Sequence, residues 1–288
     1  MKLSVVVPFL NEEVYIEQCI RSLLGQDFDK NDYEIIFVDN GSTDRSSEIV
    51  RSFPQVILLR EDKKYEYAAR NKALQTAKGD IIACTNADCA VARDWLKQIE
   101  LGMRDPNVII ILGNVYFSPN CSTLVKMVED YENAKMEIVF AKYDPDYYFA
   151  NANNMAIRTK TFKEVGQFTE LHRAGDTGFL HKVISSHPHA KILYLPEMAV
   201  RHLEILSVPV WLKKISINAR PNPLIKRSSN YKPLGYGMKY GVYGYCIKKN
   251  NYSFRKKIVL FLLLVIGNIF YIKGELDGSI KYLLLRKY

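Results

Sequence analysis

The chain has 288 residues, of which 48% are hydrophobic and 25% charged. These values exclude a disordered polymer and allow one large α/β domain with an appendage, or two modest domains. The formal charge of +9 is unevenly spread: residues 1–202 carry 24 Lys+Arg against 28 Asp+Glu, and residues 203–288 carry 16 against 3.

A strand pattern opens the chain at Leu3–Pro8, with no charged-then-apolar leader before it, so a cytoplasmic location is expected. Val14, Ile16, Cys19, Ile20, Leu23 and Leu24 fall at helical spacing. Tyr33–Val38 predicts a second strand. Ser42 or Thr43 is placed to cap a helix running towards Phe53, and Pro54 ends it. A third strand follows at Val56–Leu59, a helix at Tyr67–Ala77 with Gly79 beyond its end, and a fourth strand at Ile81–Thr85. This alternation is the pattern of a doubly wound, mostly parallel, Rossmann-like α/β sheet.

After Trp95 the regularity loosens. Val108–Tyr116 predicts a strand, Thr123–Ala141 a long helix, Ala150–Arg158 a strand and Thr177–Ile184 a short helix. Two further strands are expected near Ile192–Leu195 and Met198–Arg201. The composition shifts beyond Pro209, which predicts a first domain over 1–208 and a basic, helical C-terminal region over 209–288. Within that region an apolar run at 258–272 is flanked by Arg255-Lys256-Lys257 and Lys273. About fifteen residues fall short of the roughly twenty that span a bilayer, so a helix lying in the membrane interface, or a re-entrant one, is expected.

The five cysteines are scattered and odd in number. Cys84 and Cys89 are too far apart for a zinc knuckle and no His cluster completes one, so free buried thiols in a reducing compartment are expected.

Polar residues gather where the apolar runs end. Val5-Val6-Val7-Pro8 leads into Asn11-Glu12-Glu13, the second strand ends in Asp39-Asn40-Gly41-Ser42-Thr43-Asp44, and the fourth in Asn86-Ala87-Asp88. A parallel sheet collects its ligands outside the carboxyl ends of its strands, so these clusters predict one site rich in oxygen donors. Asn40-Gly41 also suits a turn, with Asp39 or Ser42 capping the next helix. Asp88 is placed to cap a helix around Trp95, and Asp176 to cap Thr177–Ile184. Arg70 suits a solvated helix face. Asp80, far from a strand's carboxyl end, is read as structural.

These motifs, with Ala69-Arg70-Asn71-Lys72-Ala73-Leu74, and less distinctively Gly175-Asp176 and His202, make the first two hundred residues resemble family-two glycosyltransferases of the GT-A fold. The resemblance implies an enzyme that uses a nucleotide-sugar and inverts the anomeric centre. It assigns Asp39 to the nucleobase, expected to be uracil, with Pro8 and Glu12 or Glu13 lining the pocket and Asn11 and Ser42 beside them. It places Arg70 at the diphosphate or near Asp88. Asp88 becomes the metal ligand, with His202 set against the same ion. Imidazole among the ligands favours Mn²⁺ over Mg²⁺. The family usually has two acids where this chain has Asn86 and Asp88, and an amide adds no charge to the nucleotide-sugar site. Asp176 is the candidate general base, in a Gly175-Asp176 pair where Glu-Asp is usual. The Gln-x-x-Arg-Trp motif of processive members is absent, so a single transfer is expected.

The basic tail beside an apolar run implies an anionic membrane surface as partner, a glycan or lipid-linked acceptor, and a peripheral position at the cytoplasmic face. Three other readings stay open. A sugar nucleotidyltransferase would need a Gly-rich phosphate loop where Pro8-Phe9-Leu10-Asn11 stands. A nucleic-acid-binding module would need a recognition motif to accompany the charge, so no nucleic acid is expected. A catalytically inactive protein that keeps the fold is left open by Asn86 and Gly175.

Overall fold

The computed structural model describes residues 2–170 and 174–285. In chain order the elements are β1 (Leu3–Phe9), α1 (Ile16–Leu24), β2 (Tyr33–Asp39), α2 (Ser46–Arg51), β3 (Ile57–Arg60), α3 (Glu66–Leu74) and β4 (Ile81–Thr85). There follow β5 (Cys89–Val91), α4 (Trp95–Gly102), β6 (Val108–Phe117), α5 (Thr123–Lys142), β7 (Asn154–Arg158), α6 (Thr159–Val165), α7 (Gly175–Ser186) and β8 (Lys191–His202). The chain closes with α8 (Val208–Ala219), α9 (Asn222–Ser228), α10 (Tyr236–Lys249) and α11 (Phe254–Leu285).

Two compact units result. One contains residues 1–116 and 150–203; the other contains 117–149 and 204–288. The first is built on a sheet of order β3-β2-β1-β4-β7-β6-β8-β5. Its four leading strands are parallel, and β7 runs antiparallel to both β4 and β6. Strand β1 is buried along its whole length, as the Val-rich run requires of a strand covered on both faces. Its core partners include Ile16, Ile20 and Leu23 of α1, which recur on one helical face.

Strand order reverses at β1, which pairs β2 on one side and β4 on the other. The β1–β4 pairing stops at Val6–Cys84, whereas β1–β2 continues to Phe9–Asp39. Pro8 therefore lies beyond the last β4 partner, where its missing N–H breaks no ladder bond on that side.

Several local expectations are corrected. Helix α2 starts only at Ser46, with Arg45 as its flanking residue, and the Ser42 hydroxyl accepts the Asn11 N–H instead of capping the helix. Helix α4 is flanked by Asp94 rather than Asp88. Helix α7 begins at Gly175, so Asp176 sits inside its first turn rather than at the cap. The two strands expected after residue 190 are one strand, β8. Asp80 accepts the Lys2 N–H, a structural contact at the sheet's other end.

The second unit is helical. Met127, Tyr131, Ala134 and Ile138 of α5 form a cluster with Val242, Cys246, Tyr252 and Leu260. The expected fifteen-residue apolar segment is only part of α11, which is 32 residues long. Phe254–Lys281 is long and apolar enough to cross a membrane, by length and composition. One side of α11 meets α8 closely: a Cβ at Gly274 or Gly278 would stand 2.1 or 1.9 Å from the Ser216 or Arg220 carbonyl oxygen. On the helix's other side Ile258, Leu262, Val265, Ile269, Ile272 and Leu276 are exposed.

Candidate functional site

The loops after β1 and β2 are clamped together. Asn11 turns the chain out of β1 with a φ of 56°, a left-handed conformation that Asn tolerates. Its N–H donates to Ser42 Oγ at 3.1 Å, and its Oδ1 accepts the Thr43 N–H at 2.8 Å. The Glu12 N–H donates to Ser46 Oγ at 2.8 Å, and the Glu13 N–H to Asp44 Oδ2 at 3.0 Å. Glu13 Oε2 in turn accepts the Arg45 N–H at 3.2 Å. The structure thus gives Asn11, Glu13 and Ser42 a definite job: they fix one loop against the other.

Asp39 closes the turn between them. Its Oδ1 accepts the N–H groups of Gly41 (3.1 Å) and Ser42 (2.8 Å), and its Oδ2 accepts the Ser47 hydroxyl at 2.5 Å. Gly41 has φ 93°, which a side chain would strain. Burial alone would raise the Asp39 pKa, but the bonds from Ser47, Ser42 and Gly41 outweigh it and hold the carboxyl below the ordinary range. A carboxylate offers about four acceptor sites. Four donors meet them here: the Gly41 N–H, the Ser47 hydroxyl, and both the N–H and the hydroxyl of Ser42.

Arg70 is not on a solvated face. It is fully buried, with Nη2 donating to Asn86 Oδ1 at 2.5 Å and Nη1 to the Thr85 carbonyl at 3.3 Å. Its Nε meets no acceptor among the described residues. Neighbouring Asn71 braces Phe168 through both backbone groups, at 2.9 and 3.1 Å.

Asp88, Cys89 and His202 come together through the short strand β5, which sequence periodicity misses. Its antiparallel pairing sets Cys89 directly opposite His202. The Leu203 N–H donates to the Asp88 carbonyl at 2.8 Å, fixing the two chain segments. Asp88 Oδ2 lies 3.4 Å from His202 Nε2, and Asp88 Oδ1 lies 3.6 Å from Cys89 Sγ. One ligand atom from each of the three lies within 4.8 Å of the others, and all three residues are buried. The donor set therefore fits a divalent cation. Cysteines 19, 84, 89 and 246 are free and buried. Cys89 nevertheless belongs to this Asp–Cys–His group, although its spacing from Cys84 argues against a knuckle. Burial and the Asp88 charge push the Cys89 thiol pKa upward. Cys19 stands close by, with its thiol on the Asn86 carbonyl at 3.4 Å.

Asp176 is buried against the segment entering β7. Its Oδ2 accepts the Ala152 N–H and its Oδ1 the Thr177 N–H, both at 2.8 Å, and the Tyr67 side chain hydrogen-bonds to it. Burial is the main force on this carboxyl and raises its pKa, while the bonds from Ala152 and Thr177 oppose the rise. Gly175 has a packing reason: a Cβ there would lie 2.7 Å from the Thr169 carbonyl oxygen and 2.8 Å from the Tyr67 ring. Tyr67 was not singled out from sequence, where it reads as one apolar position of a helix.

Since β7 runs antiparallel to β4, its entry lies at β4's carboxyl end, with Thr85 paired to Asn154. Asp39, the Asn86–Asp88 turn and Asp176 thus occupy one edge of the sheet. Strands sit about 4.8 Å apart, so the ends of β2, β1, β4 and β7 span roughly 15 Å.

Comparison with known proteins accords with this layout. Residues 4–166, more than half of the chain, match the profile of glycosyl transferase family 2. The chain is 31% identical over 205 residues to the glycosyltransferase AglE of Haloferax volcanii; the match takes in 64% of this chain and 66% of that one, just under two thirds of the relative's length. Its fold is similar to that of the mannosyltransferase PcManGT from Pyrobaculum calidifontis, solved with GDP-Man and Mn²⁺, at a TM-score of 0.64 and 17% identity over 96% of this chain and 87% of that one. It is also similar to residues 1–349 of S. aureus TarS in complex with UDP, at a TM-score of 0.58 and 20% identity over 88% of this chain and 73% of that one. These likenesses show the GT-A fold.

Proposed function

This chain belongs to glycosyl transferase family 2, and we propose that it moves a single sugar from a nucleoside diphosphate donor, UDP-linked, to a hydroxyl acceptor with inversion at the anomeric carbon. One observation carries the reading: a hydrogen-bonded acid, a cation-ligand group and a buried acid share the ligand-binding edge of the sheet, beside the point where strand order reverses. The UDP and GDP-Man complexes of the two fold neighbours support a nucleoside diphosphate as donor.

In this mechanism Asp39 takes the N–H of the base in place of the Ser42 hydroxyl, in a pocket walled by Pro8 and by the Asn11–Glu13 and Ser42 loops. Arg70 holds the Asn86 amide towards the sugar-phosphate. Asp88 and His202 would hold the divalent cation, with Mn²⁺ favoured over Mg²⁺ because imidazole is among the donors. When bound, that cation supplies charge neutralisation for the departing diphosphate. Asp176 takes the acceptor's hydroxyl proton as the acceptor oxygen bonds to the anomeric carbon. The carbon–oxygen bond to phosphate breaks on the opposite face, and its electron pair leaves with the nucleoside diphosphate. Burial raises the proton affinity of Asp176, which suits a base of this kind.

The acceptor is lipid-linked, and the protein docks peripherally on an anionic, cytoplasmic membrane face. The second unit carries 19 Lys+Arg against 9 Asp+Glu. Arg255 and Lys256 are exposed at the start of α11, next to its exposed apolar side. Each basic group near such a surface gains about 1 kcal/mol. Full-length protein is expected to sediment with phosphatidylserine vesicles and to be released by Ile269→Glu; failure to sediment at low salt would remove this part.

A thermal-shift panel of nucleoside diphosphates, with and without Mn²⁺, tests the donor. UDP at a hundred times its Kd stabilises by about 2.7 kcal/mol and raises Tm. If no nucleoside diphosphate shifted an otherwise intact protein, an inactive protein with the same fold would be the better description.

A further inference from the structure

We propose that Cys89 is a third metal ligand, and that the carboxylate–thiolate–imidazole set of Asp88, Cys89 and His202 selects a thiophilic divalent ion such as Zn²⁺ or Co²⁺ over Mg²⁺ and Mn²⁺. The proposal rests on Asp88 and His202 being the cation ligands and adds a donor that changes which cation they hold.

The geometry is that of ligands around one small ion. Residues directly opposite in an antiparallel pair point to the same face, so the Cys89–His202 register brings thiol and imidazole side by side. Zinc sits about 2.3 Å from sulfur and 2.0–2.1 Å from nitrogen, so tetrahedral donors stand roughly 3.5 Å apart. Asp88 Oδ2 lies 3.4 Å from His202 Nε2 and its other oxygen, Oδ1, 3.6 Å from Cys89 Sγ, and one ligand atom from each of the three residues lies within 4.8 Å of the others, close enough to converge on one ion with a small side-chain adjustment. The backbone bond from Leu203 to Asp88 holds the carboxylate and imidazole segments in register before any ion arrives.

The donors also set the preference. Mg²⁺ demands an octahedral shell of oxygen and retains its waters, which a buried site with a sulfur at its wall does not offer. Thiolate favours softer ions, and imidazole and carboxylate both suit zinc. Binding replaces the thiol's hydrogen bond to Asp88 with a metal–sulfur bond and releases the thiol proton to solvent. Cys19 is a different case: its thiol is directed to the Asn86 carbonyl.

Co²⁺ titration of the whole protein reads the ligands directly. The wild type is expected to show a near-ultraviolet thiolate-to-cobalt charge-transfer band that grows with the visible d–d bands to one equivalent. Cys89→Ser should keep d–d bands and lose the charge-transfer band, while Cys19→Ser keeps both. Cys89→Asp, which supplies a hard ligand in place of the thiol, should bind without the band and reduce the Zn²⁺-over-Mn²⁺ preference at least about tenfold, a difference of about 1.4 kcal/mol. It carries the same readout if the Ser variant does not fold. Wild-type d–d bands without charge transfer, or a band that survives loss of Cys89, would overturn the role of Cys89 and leave Asp88 and His202 as ligands. Failure of both Co²⁺ and Mn²⁺ to bind would overturn the ligand reading of all three.

Discussion

Fully buried Arg70 and half-buried Asn86 form a pair in which a cation meets a neutral amide: Nη2 donates to Oδ1 at 2.5 Å, and no carboxylate lies within ion-pair distance of the guanidinium among the described residues. Hydrogen bonds to charged partners contribute about 1.5–3 kcal/mol, roughly twice the neutral value. Asn86→Asp would give the guanidinium a counter-ion of nearly the same shape. It is expected to raise stability by about 1 kcal/mol at neutral pH, read from urea unfolding. A lower midpoint would mean that the Arg70 charge is already balanced.

Asp176→Asn removes the proposed base. The expected loss in kcat is about 10²–10⁴-fold, with affinity for the nucleoside diphosphate retained. Because burial raises the pKa, the acid limb of the wild-type kcat profile should lie above the ordinary carboxylate range and vanish in the variant. Folding carries the matching sign. A raised pKa means a stabilising contribution present at low pH and lost as pH rises through it, so the stability gap between variant and wild type should move in the variant's favour over that window.

Asp39 predicts the opposite trend. Its lowered pKa means that its stabilisation is present above the unfolded-state value and disappears as pH falls through the folded one. Asp39→Asn should cost about 1.5–3 kcal/mol at neutral pH. The difference should shrink as the pH falls below about 4, the unfolded-state pKa of aspartate. A pH-independent difference would show that the turn needs the shape of Asp39 but not its charge.

Gly175→Ala tests the contact between α7 and Tyr67. The added methyl would fall inside contact distance of the Thr169 carbonyl and the Tyr67 ring, and overpacking of this kind costs about 1–3 kcal/mol. A glutamate at this position should cost more still. An unchanged Tm for the alanine variant would show that the helix start can move aside.

Much of the first unit was legible because its signals are local. The Val5–Val7 run, Ile35–Val38 and Ile81–Thr85 are continuous apolar stretches with polar residues at one end, and each became a strand of the parallel core. Strand β5 was not, since three residues are too short to show a period, and it owes its existence to pairing with β8 more than a hundred residues later. Arg70 read as a surface residue because helical spacing says which residues share a face, but not what covers that face. The α11 run was measured as fifteen residues because its polar continuation, through Lys273 to Asp277, breaks the apolar count without breaking the helix.

By itself the amino-acid sequence determined the alternation of strand and helix, the basic tail, and which polar residues follow which strands, since neighbouring residues set backbone preference and facial pattern. Tertiary structure alone decided that Cys89 faces His202, that Asp176 is held at the mouth of β7, and that α5 belongs to the C-terminal unit. Those outcomes depend on pairing and burial between segments distant in the chain, where each contact's free energy depends on everything packed around it.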